Sequence, residues 1–342
     1  MASTDKPVRT IADIARLAGV SKSTVSRALS DSSLISEETK ARIRTIAETH
    51  NFQIHHGARS LSLNRTNTIA VIFHIDPATG QFITDPFQLE ILGAMGKTLS
   101  DYGYDMLVVQ IQPDDHTWSY RYLDASRADG LILLTCCEQA GEVETLAERG
   151  VPFVLWGPQY PNHRFCTVDS DNLTGGRLAT EHLIRLGRQR IGFLGAHPGG
   201  WVPKMRYQGY KMALQAAGRS VDPALVIHTG YYSSQSGYEG MQRLLDQASD
   251  LDAVFVICDL MAITAMEALR EQGYRIPEDI AIVGYDDISL AAHSSPPLTT
   301  IRQDISKAGE LLVRNLMQYL ETGFVTNVLM PVELVVRKSS GA

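Results

Sequence analysis

Cysteine is scarce: the 342-residue chain has four, Cys136 and Cys137 side by side and Cys166 and Cys258 alone. None gives the CxxC spacing of a zinc or redox centre, so reduced, mostly buried thiols are expected and a metal site is not. Long apolar runs are missing as well. No stretch approaches the ~18 to 20 apolar residues of a membrane span, and the opening MASTDKPVRT has no apolar core of an export signal. A cytoplasmic location is the expectation. Catalytic signatures are absent too: there is no GxxxxGK[ST], HExxH or GxSxG, and the glycines of GFLGAHPGG stand at the wrong offsets for a dinucleotide fingerprint. Neither a reaction nor a cofactor is therefore expected. No internal repeat or low-complexity tract interrupts the chain.

What is present begins with charge. The total is −7, yet residues 1–66 hold 10 Lys and Arg against 6 Asp and Glu, so a head of +4 precedes a body of −11. Phosphate contacts supply most non-specific affinity for nucleic acid, which makes the basic head a candidate DNA surface and the body a poor one.

Residues 10–30 of that head read TIADIARLAGVSKSTVSRALS. Thr10 can cap a first helix with Asp13 as its capping-box partner, and Ile11, Ile14, Ala15, Leu17 and Ala18 then share a face. Gly19 ends the helix, because the left-handed exit suits a residue without a Cβ, and Val20 folds back as an apolar plug. Ser21 caps a second helix in which Val25, Ala28 and Leu29 point inward. Lys22, Ser23, Ser26 and Arg27 are left facing out. Two short helices around a tight turn, with short donors and cations exposed, fit a helix-turn-helix better than a hairpin of an ordinary bundle. A third helix is expected from Ser36, with Glu37 and Glu38 in its first turn and Ala41, Ile43, Ile46 and Ala47 inward. Between Asn51 and Thr68 apolar density falls, the character of a linker.

From Ile69 the pattern changes. IAVIFHI, DMLVVQI, GLILLT, PFVLW, RIGFLGA, DAVFVIC and IAIVGYDD are short, almost wholly apolar runs separated by helical segments. Such strands belong to parallel sheets covered on both faces, so an α/β, doubly wound body is expected. Its first helix starts at Asp85-Pro86, with Asp85 as cap, Pro86 at the first position, and Leu89, Leu92, Met95 and Leu99 toward the sheet.

In this order the chain resembles the LacI family of bacterial repressors over nearly its whole length. The resemblance is carried by IADIARLAGVSKSTVSRAL, ARSL at 58–61, TNTIAVI, DPFQLEILGAM, YDMLVV, ADGLIL, VPFVLW, VDSDNLTGGRLATEHLIRLG, RIGFLG, IPEDIAIVGYDD and PPLTTIRQD. It implies a headpiece at 1–66 with a hinge near 54–66, and an effector-binding and dimerisation domain at 67–340. The latter would comprise two subdomains of periplasmic-binding-protein type, one near 67–186 and 303–330, the other near 187–302 and 331–340. A ligand cleft would lie between them, with three chain crossovers at the hinge.

The resemblance also implies roles. Lys22, Ser23 and Arg27 would meet base edges, and Thr10, Ser21, Thr24 and Ser26 would hold phosphates or cap and pack. Leu61, with Arg59 and Ser60 beside it, matches a hinge leucine that wedges into the minor groove. The usual proline and asparagine before that hinge are replaced here by Ile54 and His55, followed by His56 and Gly57, so the hinge is expected to be harder to order or to start later than usual, and its operator binding to be sensitive to pH. For the cleft the match carries over Phe87, Arg206, Tyr232, Asp286 and Gln303, an arginine and a carboxylate suited to vicinal hydroxyls or a purine edge beside an aromatic face. Asp171, with Asn172, stands at a helix start, where it is a cap or a ligand contact. Trp156 is placed for sugar stacking, and Trp201 for covering the cleft. Cys258 replaces an asparagine common in sugar-responsive relatives.

The partners implied are a near-palindromic double-stranded operator, a homodimer mate and a mono- or oligosaccharide effector, with a purine-type corepressor as the alternative. The chain stops at VVRKSSGA without a leucine heptad, so a zipper-built tetramer is not expected. A sugar-binding transport component would share the body but need an export signal and no basic head.

Overall fold

The computed structural model describes residues 8, 10–50, 52, 65–74, 83–112, 115, 117–124, 127–134, 140–159, 165–195, 200–230 and 232–342. The hinge positions 54–61, including Arg59, Ser60 and Leu61, lie outside the described residues, as do Cys136 and Cys137. The chain forms two compact units, Met1–Thr66 and Asn67–Ala342.

In the first unit Thr10 caps α1 (Ile11–Ala18), its side chain accepting from Asp13 N while the Asp13 carboxylate accepts from Thr10 N. Gly19 leaves the helix at φ 65°, in the left-handed region, and Val20 N donates to Ala15 O at 3.0 Å. Ser21 caps α2 (Lys22–Leu29), and Ser36 caps α3 (Glu37–Thr49). Ile14, Ala15, Ala18, Val25, Ala28, Ile43 and Ala47 form the core. Ala41, expected inside, is exposed, and Lys40 is buried in its place. The inward stripe of α3 runs through 40, 43 and 47, so the lysine stem is covered while its Nζ reaches Glu37 at 2.7 Å and Asp31 at 3.2 Å.

The second unit contains two six-stranded sheets. The first has the order β11-β5-β4-β3-β1-β2, from β1 (Thr68–His74), β2 (Asp105–Ile111), β3 (Gly130–Leu134), β4 (Phe153–Trp156), β5 (Cys166–Ser170) and β11 (Asn327–Met330), all parallel. The second has the order β12-β10-β9-β8-β6-β7, from β6 (Ile191–Gly195), β7 (Val226–His228), β8 (Ala253–Val256), β9 (Ala281–Asp286), β10 (Thr299–Gln303) and β12 (Val332–Val335). Only β12 runs antiparallel, on β10. Every residue of β3, β6, β8 and β9 is buried, the signature of strands covered on both faces. The strands without an apolar run in the sequence are β5, β7, β10, β11 and β12, which are short and mix polar with apolar residues.

Around the first sheet lie α4 (Pro86–Asp101), α5 (Ala140–Glu148) and α10 (Ile305–Thr322); around the second lie α6 (Asn172–Arg185), α7 (Trp201–Ala216), α8 (Ser234–Gln247) and α9 (Asp259–Glu271). Asp85 caps α4 by accepting from Phe87 N at 2.8 Å, with Pro86 in the first turn. Leu89 does not face the sheet but is 50% exposed, because the buried stripe of α4 starts at Ile91 and continues through Leu92, Met95 and Leu99. Among the described residues no helix is long and apolar enough to cross a membrane.

The chain passes between the sheets after Ser170, after Gln303 and at Pro331. The first passage lies earlier than the 186 expected, because α6 packs on α7 and on β12 and β9 of the second sheet. Glycines make this possible. A Cβ on Gly176 would stand 2.1 Å from Arg206 O and one on Gly209 2.2 Å from Leu173 O, so the two helices meet backbone to backbone. Asp171 N donates to Met330 O at 2.9 Å, which joins two of the passages.

Candidate functional site

On α2 the side chains of Lys22, Ser23, Ser26 and Arg27 are exposed, while Val25 and Ala28 are fully buried. The Ser21 hydroxyl lies 2.7 Å from that of Ser23 and 2.8 Å from that of Thr24, and it accepts from Thr24 N. Ser21 and Thr24 thus serve the cap. Thr10 is likewise engaged with Asp13, at 2.8 Å from Oγ1 to Oδ2. Lys22, Ser26 and Arg27 project from a helix whose buried side is fixed by the unit's core, as a reading helix requires.

In the second unit a polar group gathers at the carboxyl ends of the strands, beside the passages between the sheets. Its centre is Arg206, 4% exposed on α7. Nε donates to Asn172 Oδ1 at 2.8 Å, Nη1 to Ile257 O at 2.6 Å and to Asp286 Oδ1 at 3.4 Å. The guanidinium carbon stands 3.5 Å from the centre of the Tyr285 ring, a cation-π contact. Asn172 comes from the start of α6, so the contact of α6 with α7 is what sets this geometry. Gln303, the last residue of β10, donates from Nε2 to Asp286 Oδ1 at 2.6 Å. Asp286 has φ 113°, a sparsely populated conformation for a residue with a Cβ. Its neighbours hold it there: Asp287 accepts from Arg302 and Arg337, each at 2.6 Å, and Ile288 N donates to Asp259 at 3.0 Å.

Among the described residues, several hydrogen bonds join the sheets' sides directly. Trp201 Nε1, at the start of α7, donates to Asp169 Oδ2 on β5 at 3.2 Å, and Ser289 N donates to Glu90 of α4 at 2.8 Å. Asp169 also accepts from Ser170 N at 2.8 Å and Asn172 Nδ2 at 3.1 Å. Phe87 and Trp156, both half-buried, face each other with ring centroids 6.1 Å apart.

Burial dominates the electrostatics. It raises Asp286 to about 7, opposed by Arg206 and reinforced by Asp85. It raises Asp169 to about 6 against the hydrogen bonds from Ser170 N and Trp201 and the charge of Arg206. Burial pushes up the Asp85 carboxyl and the Cys258 thiol as well, the latter helped by Asp286 and Asp85. The start of α4 is therefore within electrostatic reach of Asp286 and Cys258. Among the described residues Gln303 Oε1, Ser170 Oγ and the Tyr285 hydroxyl are buried without a hydrogen-bond partner in the protein. Buried polar atoms are rarely left so; the Tyr285 hydroxyl is packed against Gly175 of α6, where a Cβ would lie 2.2 Å from it, whereas Gln303 Oε1 belongs to the amide that donates to Asp286.

The structure brings Arg206, Asp286, Gln303 and Cys258 together, with Tyr232 close enough to act on the Arg206 charge. Arg206 and Asp286 pair with each other, at the outer limit of a hydrogen bond. Asp171 caps α6 by accepting from Thr174 N at 3.0 Å. Cys258 precedes α9 without capping it. Sequence reasoning missed Asp169, Asp85 in any role beyond a cap, and Tyr285 beneath the guanidinium; the signal for Asp169 was an acidic residue on an otherwise buried strand.

A helix-turn-helix unit followed by a two-sheet α/β body, with a buried polar group beside the passages between the sheets, defines the architecture of a DNA-binding regulator. Comparison with known proteins agrees. Residues 10–54 match the model of bacterial regulatory proteins of the lacI family, and residues 180–340 match a periplasmic binding protein-like domain. The regulator CelR of Thermobifida fusca is 34% identical over 336 residues, 96% of this chain and 98% of its own. The ribose operon repressor of Escherichia coli is 32% identical over 89% of this chain and 91% of its own. The Lac repressor dimer bound to operator and the anti-inducer ONPF superposes with a TM-score of 0.86 at 28% identity, covering 98% of this chain and 100% of that one. A complex of CelR with cellobiose gives 0.74 at 32% identity, covering 97% and 99%. The chain belongs to the lacI family of bacterial transcriptional regulators.

Proposed function

We propose that this regulator is a cytoplasmic repressor that binds a near-palindromic operator as a homodimer and is controlled by a sugar held between its two sheets. The observation that carries the effector reading is the buried Arg206, wired to Asn172, Asp286 and Ile257, beside the unpartnered Gln303 Oε1. A guanidinium, a carboxylate and an amide around one point can engage adjacent hydroxyls, and Phe87 with Trp156 offers apolar faces for a ring. The likeness to a relative solved with cellobiose supports a saccharide.

Control follows from where these groups sit. Asn172 and Gln303 flank two of the passages between the sheets, so a ligand drawing on both sides of the cleft favours one arrangement of the sheets over another. Ligand and operator then compete or cooperate through the populations of those arrangements, with no contact between them. At the DNA, Lys22, Ser23 and Arg27 read bases, the caps Thr10, Ser21 and Thr24 with Ser26 lie against the backbone, and Arg59, Ser60 and Leu61 act in the minor groove.

The test is a pair of variants in gel shift and titration. Arg27→Ala is expected to lose operator binding and keep the effector, a loss of about 1 to 3 kcal/mol at the DNA. Arg206→Ala is expected to keep operator binding and lose the response to sugar. The opposite pattern would show that the two sites are exchanged.

A further inference from the structure

We propose that Lys40 is a positioning residue for DNA recognition: through the carboxylate of Asp31 it fixes the end of α2, and with it the aim of Arg27. The inference rests on the reading above that α2 meets the base edges, and it concerns what holds that helix in place.

The exit of α2 is built around a residue that its backbone does not favour. Ser32 N donates to Arg27 O at 2.9 Å and Asp31 N to Ala28 O at 3.2 Å, the paired closure that ends many helices at a glycine. Asp31 takes the place of that glycine at φ 59°, in the left-handed region, where aspartate is tolerated but a residue without a Cβ is at ease. At the exit of α1 the same conformation is filled by Gly19. What distinguishes the second exit is that its side chain has partners on α3.

Lys40 is the stronger of them. Its side chain is 5% exposed, and Nζ has three partners for its three N–H donors: Glu37 Oε1 at 2.7 Å, Asp31 Oδ1 at 3.2 Å and Asp31 O at 3.4 Å. Asp31 Oδ1 also accepts from Arg44 at 2.6 Å, but both side chains of that pair are exposed, and an exposed ion pair contributes little. A buried ammonium differs, because breaking its pairing leaves a charge stripped of water; the turn and α3 therefore hold each other at one spacing. The consequence falls on Arg27. Its carbonyl accepts from Ser32 N at 2.9 Å and from the Ser30 hydroxyl at 3.2 Å, so the backbone that carries the guanidinium is tied to the turn that Lys40 grips.

Two contributions to DNA binding separate at this pair. Affinity for any duplex follows the cations that meet phosphates, whereas discrimination follows the placement of side chains at base edges. Lys40, buried and paired with two carboxylates, is poorly placed to meet a phosphate. Removing Lys40 takes one positive charge from the head, and removing the Asp31 carboxylate takes one negative charge. The two changes act oppositely on general affinity, but both release the end of α2.

Gel shift of the full-length protein tests this with two probes at one salt concentration: a duplex that the unaltered chain has selected from a randomised pool, and a scrambled duplex of the same composition. Lys40→Met keeps an apolar stem in the buried position, and Asp31→Gly suits the left-handed backbone. Each is expected to lower the ratio of selected to scrambled affinity about tenfold, the scale of one misplaced base contact. Scrambled affinity is expected to fall slightly in Lys40→Met and to rise slightly in Asp31→Gly, following the charge of the head. Thermal unfolding followed by circular dichroism shows whether the head stays folded; if Lys40→Met unfolds, Asp31→Gly decides alone. An unchanged ratio in folded Asp31→Gly overturns the inference, as do selected and scrambled affinities that fall together, or a head that unfolds in both variants, since the pair would then hold the fold and not the aim. Arg27→Ala is the control for the underlying reading. If it binds the selected duplex as tightly as the unaltered chain does, or if no duplex is selected at all, the reading of α2 falls and this inference with it.

Discussion

At the scale of single residues, the cleft is held by groups that the fold keeps in costly states. Asp286 has a left-handed backbone and a buried carboxyl, and it persists because Arg302, Arg337 and Asp259 fix the turn behind it. Asp169 is buried on β5 and raised to about 6 from 3.8. A carboxyl that holds its proton to higher pH in the folded chain than in the unfolded one stabilises the fold below about pH 4, and that contribution is lost as pH rises through about 6. Asp286, raised to about 7, acts in the same direction. Asp169→Asn is therefore expected to flatten the stability of the second unit between pH 4 and 7, by roughly 1 to 3 kcal/mol relative to the unaltered chain. Urea denaturation at several pH values measures it; parallel curves for the two proteins would mean that Asp169 is ionised throughout that range.

At the scale of elements, the site depends on how closely α6 and α7 meet. Gly176 and Gly209 let Asn172 come within 2.8 Å of Arg206 by removing the side chains that would hold the helices apart. The obstacle to a larger residue is backbone, which cannot swing aside as a flexible side chain can. Gly209→Ala is expected to cost about 1 to 3 kcal/mol in stability and to weaken effector binding at least tenfold by moving Asn172 from the guanidinium. Binding of operator without effector is expected to survive, since α1 to α3 form a unit with its own core. Denaturation, sugar titration and gel shift on this variant separate the three effects. A full sugar response in a stable Gly209→Ala protein would show that the helix contact does not set the site.

At the scale of the whole molecule, the two units carry opposite charge, and under the proposed function the basic one serves DNA and the acidic one the ligand. If sugar and operator bias the same equilibrium, each must change the other's affinity by the same factor, about 5- to 150-fold for a coupling of ~1 to 3 kcal/mol. Sugar affinity measured with and without operator, and operator affinity with and without sugar, are expected to give equal ratios. Unequal ratios at one salt concentration would exclude a simple linked equilibrium. In thermal unfolding, effector at 100 times its Kd is expected to add about 2.7 kcal/mol of stability.

The amino-acid sequence by itself determined the elements whose signals are local. The capping box at Thr10, the left-handed exit at Gly19, the cap at Ser21 and the outward set on α2 are written within a few residues of where they act, because helix ends and faces follow from nearest-neighbour chemistry. The seven apolar strand runs were equally legible, since a strand buried on both faces has nowhere to put a polar residue. Tertiary structure alone decided the rest. Lys40 took the inward position expected for Ala41 because the stripe is set by the helices it packs on, and Leu89 stayed exposed for the same reason. The short strands β5, β10 and β12 form only once their neighbours supply hydrogen bonds, and the passage after Ser170 is fixed by the glycine contact of α6 with α7. Arg206 meets Asn172, Asp286 and Tyr285 across separations of 34 to 80 residues, and no local pattern encodes a meeting of that kind. It exists because two sheets and two close-packed helices bring those side chains to one point.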